Sequence, residues 1–214
     1  SLIKSDYAML TCDDDIPLTD TLEKCEKFLN HNKQYNGVNG ELVWFDINLD
    51  QRSSKVRKFL DPNRTASLNP SFGLDKEKAS ERLEEYLDNF FYTMFTVVRT
   101  PTYKNIFFKN TNRISFPHFH ADYNWMFGIA LTGKIKHLKI PQVIRQRHEN
   151  NLGTKGLNHP FPSYLESLIT NDWGRDANIF VSNIAKLIKK IDGVSHDISI
   201  DQALEGFRRL SIIR

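Results

Sequence analysis

The chain has 214 residues, 40% apolar and 12% aromatic, which is enough to bury a sizeable core in one domain or slightly more. Lys and Arg number 29 against 26 Asp and Glu, too slight an excess to imply nucleic acid or an anionic membrane without a local patch. No run approaches the roughly 18 apolar residues of a membrane span, residues 1–18 lack a signal-peptide layout, and Cys12 and Cys25 form no CxxC pair, so a reducing cytoplasm is the expected compartment.

Residues 6–11, DYAMLT, read as a short buried strand that runs into Asp13, Asp14 and Asp15. Asp20 precedes Glu23 by three, a capping signal, and Leu22, Cys25, Phe28 and Leu29 share one helical face as far as about His31. Gly37 and Gly40 then punctuate a turn before a second strand, ELVWFDIN, at 41–48. Residues 50–75 form a polar, basic loop with Arg52, Lys55, Arg57, Lys58 and Arg64. It reads as a solvated loop or as one that closes over an anionic ligand.

Three-and-four spacing of Leu83, Tyr86, Leu87, Phe90, Phe91, Met94 and Phe95 predicts a core helix that Pro101 ends. A second amphipathic helix follows the loop at 116 and stops at Gly133. KIKHLKI, 134–140, alternates with period two, and residues 142–148 continue extended after Pro141. Helices are expected near 163–170, 177–191 and 200–213, the last opened by a Ser199-x-x-Gln202 box. Strands alternating with helices predict an α/β layer fold with a helical tail, and in open α/β sheets ligands gather beyond the carboxyl ends of the strands.

Three neighbouring carboxylates raise each other's pKa, and a divalent cation relieves that repulsion. Hard oxygen donors suit Mg²⁺ or Mn²⁺. On an extended segment, Asp13 and Asp15 point the same way and flank a site from which Asp14 faces away. The competing reading is a solvated turn that caps the next helix. An EF-hand is excluded, because Leu18 stands where its loop needs Gly.

The order of these segments resembles the nucleotide-sugar glycosyltransferases of GT-A type, close to family 2. The matching stretches are Asp6 to Asp15, Trp44-Phe45, Val98-Arg99-Thr100 and Val143 to His148. The resemblance covers roughly residues 5–150. It implies a partial GT-A-like, Rossmann-like catalytic domain over 1–150, a mixed sheet flanked by helices, and a helical extension over 151–214. Such enzymes bind the nucleotide through a first strand and helix that would precede Ser1.

By that resemblance Asp13 and Asp15, with His148, would hold Mn²⁺ or Mg²⁺ against the diphosphate of a nucleotide-sugar donor. Arg145 and Arg147 would meet the phosphates, or else form plain surface. Asp122 would be the general base that deprotonates a glycan or other hydroxyl acceptor, with inversion expected; its alternative is a helix cap. His118 and His120 with Asp122 form a lesser zinc-like cluster, or simple loop polarity. Trp125, Tyr123 and Trp173 read as core aromatics or sugar platforms. The other functional classes are a glycan- or protein-binding module on a degenerate transferase fold, and a metal-dependent nucleotidyltransferase.

Overall fold

The computed structural model describes residues 3–46, 67–69, 71–110, 120–147 and 171–212. Its elements in chain order are β1 (Tyr7–Ala8), β2 (Asp15–Pro17), α1 (Thr19–His31), β3 (Tyr35–Asp46), β4 (Ser67–Asn69), α2 (Ala79–Asp88), a 3₁₀ turn (Thr93–Phe95), β5 (Val97–Arg99), α3 (Thr100–Asn110), α4 (His120–Thr132), β6 (Lys134–Arg147), α5 (Asn171–Asp192) and α6 (His196–Ile212). This is a mixed α/β architecture.

The sheet runs in the order β1-β5-β3-β6-β2, with β4 added on β3. Among the described strands only β3 and β6 pair in parallel; every other pairing is antiparallel. The long β3–β6 pair, from Tyr35↔Lys134 to Asp46↔Arg147, is therefore the axis of the fold. Its register shifts around Asn39, Glu41 and Pro141. Proline cannot donate to a ladder and is tolerated within a sheet at such irregularities.

Gly37 and Gly40 lie inside β3, not in a turn, and the reason is steric. A Cβ on Gly40 would approach Ile140 O to 2.6 Å and Gln142 Cβ to 2.8 Å, and one on Gly37 would meet Thr96 Cγ2 at 2.7 Å. The Gln142 side chain closes the Gly40 irregularity: its Oε1 accepts from Gly40 N at 2.5 Å and its Nε2 donates to Phe95 O at 2.8 Å.

Helices cover both faces of the sheet. On one side α1 buries Cys25 and Leu29 against Val38 and Val97. On the other, α2 to α6 form the main core with Val98 and Ile135. Adjacent Val97 and Val98 serve opposite faces, as the strand's period of two requires. Tyr86, Phe127, Phe180 and Phe207 make a chain of ring contacts at 5.0, 5.2 and 5.8 Å from α2 through α4 and α5 to α6. The C-terminal helices are thus built into the main core.

The expected long core helix is shorter than its periodicity suggested. It stops at Asp88, and Phe90 to Phe95 continue as loop and a 3₁₀ turn. Pro101 opens α3 instead of ending a helix, a position where its missing N–H costs nothing. The cap of α6 is Ser195, whose Oγ accepts from Ile198 N at 3.3 Å, whereas Ser199 lies within the helix. Helix α1 begins without the expected side-chain cap, and the tract 163–170 lies outside the described residues.

Two arginines, Arg82 buried and Arg99 partly buried, are structural. Arg82 gives hydrogen bonds to the carbonyls of Lys76, Glu77, Ala130 and Leu131, which closes the C-terminal end of α4. Arg99, in the Val98-Arg99-Thr100 segment, donates to the carbonyls of Tyr35 and Leu29 and ties β5 to the end of α1.

Candidate functional site

The acidic triplet does not follow the end of a strand. Strand β1 is over at Ala8, and residues 13 and 14 form a turn closed by Asp15 N donating to Cys12 O at 3.3 Å. Asp15 is the first residue of β2, which runs antiparallel to β6 with Asp15 opposite Arg145. Arg145 in turn stands opposite Trp44 near the end of β3. The carboxylates therefore lie beside the carboxyl-terminal residues of the parallel pair β3 and β6, the end at which ligands gather in open sheets.

Because the segment turns instead of extending, the alternation expected of Asp13 and Asp15 does not hold. Asp13 is exposed, whereas Cys12, Asp14 and Asp15 bring one ligand atom each within 4.8 Å of one another. Cys12 and Asp14 are half-buried and Asp15 is buried. Strand alternation points Asp14 away from the site and assigns Cys12 no role; the position of Cys12 directly before the triplet is the signal in the sequence.

Arg145 fixes the buried carboxylate. Its Nε donates to Asp15 Oδ1 at 3.1 Å, with the two side chains only 15% and 1% exposed. The guanidinium carbon lies 4.4 Å from the Trp44 ring centre, 5.0 Å from Phe95 and 5.6 Å from Tyr92. Such faces attract a cation by about 0.5–2 kcal/mol each, the more so when water is excluded. With one oxygen taken by Arg145, Asp15 Oδ2 is left buried without a hydrogen-bond partner. Burial, and after it the Asp15 charge, together raise the Cys12 thiol to about 11, while Arg145 opposes them.

Asp122 occupies the first turn of α4. Desolvation raises its carboxyl above the ordinary value, although the residue is exposed by surface area. The segment 90–95 links α4 to Arg145. Phe90 stacks on Tyr123 at 5.9 Å, Thr93 Oγ1 donates to Met126 O at 2.8 Å, and Tyr92 faces the guanidinium.

Arg147 closes β6 opposite Asp46 in the register, and only its backbone is described. His148, His118 and most of the basic loop lie outside the described residues, and His120 is the first residue of α4. Tyr123 and Trp125 are buried, in the core. The side chain of Trp173 lies outside the described residues.

The cluster has the makings of a divalent-cation site. One buried carboxylate oxygen, Asp15 Oδ2, lacks a hydrogen-bond partner, and the cluster's donors are two carboxylates and a thiol. Compared with known proteins, the chain matches no family model and no curated protein. No helix among the described residues is long and apolar enough to cross a membrane.

Proposed function

We propose that the chain is a metal-dependent glycosyltransferase on a GT-A-like fold, moving a sugar from a nucleoside diphosphate to a hydroxyl acceptor with inversion. The observation that carries this reading is the buried Asp15 carboxylate, which leaves Oδ2 without a hydrogen-bond partner and comes together with Asp14 near the carboxyl ends of β3 and β6. Asp14 and Asp15 would hold Mn²⁺ or Mg²⁺. Bound there, such an ion supplies Lewis-acid stabilisation of the charge that grows on a departing diphosphate.

The chain's own residues do the rest. Arg145 positions Asp15 and compensates its charge. Arg147, two residues on at the end of β6, is the chain's candidate for a diphosphate contact, a role that suits a bidentate donor. Asp122, with its carboxyl held above the usual range, takes the proton from the acceptor hydroxyl, whose oxygen then bonds to the anomeric carbon as the carbon–phosphate-oxygen bond breaks.

Thermal unfolding of the chain with Mn²⁺ and a nucleoside diphosphate tests the site. A rise in Tm that Asp15→Asn and Asp14→Asn abolish is expected; no rise in the parent chain would favour a glycan- or protein-binding module. Incubation with nucleotide sugars should release nucleoside diphosphate, and release of pyrophosphate would indicate nucleotidyl transfer instead.

A further inference from the structure

The donor set at the triplet is not all oxygen. Cys12 contributes Sγ alongside carboxylate oxygens of Asp14 and Asp15, all within 4.8 Å of one another. The buried Asp15 Oδ2 is the second feature: a side chain 1% exposed, held by Arg145 through its other oxygen, with no N–H or O–H donor on this one. A tetrahedral ion with bonds of 2.0–2.3 Å would draw such donors to about 3.5 Å apart. The present spread needs roughly 1 Å of closure by that measure. Asp14, half-buried on a turn, is the side chain free to supply it.

The geometry points to Cys12 as a third ligand, making this a mixed sulfur–oxygen site that selects a thiophilic divalent cation, of the Zn²⁺ or Co²⁺ kind, over Mg²⁺. Thiolate is a poor ligand for hard Mg²⁺ and a good one for borderline-soft ions. Three protein donors also leave a fourth position open, as catalytic sites of this kind do, for an oxygen of the substrate. On binding, the thiol proton passes to solvent as the sulfur–metal bond forms. This inference rests on the metal site of the proposed function, adds its third ligand, and puts a thiophilic ion in place of the Mn²⁺ or Mg²⁺ that an all-oxygen site would take.

Titration of the whole chain with Co²⁺, in a non-thiol reductant, tests it by absorption. A sulfur-to-cobalt charge-transfer band saturating at about one equivalent is expected. Cys12→Ser should lose the band and weaken Zn²⁺ by at least about tenfold in calorimetry, a loss that even an outer-shell change can cause. Cys25→Ser should keep the band, since Cys25 lies in the core beneath α1. In the unaltered chain, Zn²⁺ but not Mg²⁺ should slow alkylation of Cys12, which keeps the test independent of any variant's folding.

Cobalt bound without a charge-transfer band, or a band that survives Cys12→Ser, would overturn the mixed site while leaving an all-oxygen metal site and the transferase reading standing. Failure of Co²⁺, Zn²⁺, Mn²⁺ and Mg²⁺ alike to bind would remove both the mixed site and the metal-dependent mechanism.

Discussion

Arg145 donates from Nε to Asp15 Oδ1 at 3.1 Å across the β2–β6 pairing, and the guanidinium that does so lies 4.4 Å from the Trp44 ring centre. One arginine thereby neutralises a buried carboxylate and sets which of its oxygens is left over. Replacing only the arginine leaves that charge uncompensated. Arg145→Met should lower stability by about 3–5 kcal/mol in urea unfolding, and Arg145→Met with Asp15→Leu should recover most of it, because the pair removed together leaves no buried charge. The double-mutant cycle measures the coupling directly.

Gly40→Ala should cost more than Gly37→Ala. The new Cβ at residue 40 meets a backbone oxygen, Ile140 O at 2.6 Å, in the paired strand, whereas at residue 37 the nearest atom is a side-chain methyl of Thr96. Overpacking against backbone typically costs about 1–3 kcal/mol. Thermal unfolding of both variants gives the order, and equal losses would show that the β3–β6 register is softer than it looks.

Arg82→Met removes the donors for carbonyls of Lys76, Glu77, Ala130 and Leu131 at a residue that is itself almost wholly buried. Unsatisfied buried acceptors cost about 1–3 kcal/mol each, partly relieved by water where it can enter. A loss of about 3 kcal/mol or more is expected in chemical denaturation. Hydrogen exchange should quicken first at the end of α4, whose carbonyls lose their partner.

Asp122→Asn should lower sugar transfer by about 10²–10⁴-fold while leaving the Mn²⁺-dependent nucleotide Tm shift unchanged, the separation expected of a general base. Its carboxyl is raised by desolvation, so the folded state holds that proton to higher pH than the unfolded chain does. The stability this contributes is complete below the unfolded pKa and fades as pH rises through the folded one. Asp122→Asn should flatten that segment of the stability–pH curve. In the parent, activity should climb with pH through the same window, since a base works only when ionised.

Much of the architecture was legible because helical and strand periodicities are local. Helix α1 and the body of β3 follow from local pattern, as does the presence of α4 with Gly133 just beyond it, although α4 is buried on every face from Tyr123 to Leu131 and is not the amphipathic helix expected. The periodicity misled between Phe90 and Phe95, whose apolar side chains pack inward from a loop and a 3₁₀ turn as well as they would from a helix. Gly37 and Gly40 misled for a related reason: glycine marks close approach as readily as it marks a turn, and only the neighbouring strand shows which.

The site divides the same way. That carboxylates cluster at residues 13–15 and that Arg145 follows on a late strand is written in the chain, because residue identity and local pattern are properties of sequence. Which carboxylate is buried, that Cys12 joins it while Asp13 faces water, and that Arg145 holds one of its oxygens were decided by the turn at residues 13–14 and by a pairing that spans 130 positions. Charge burial depends on what packs above a group, and that is fixed only when β2, β3 and β6 come together.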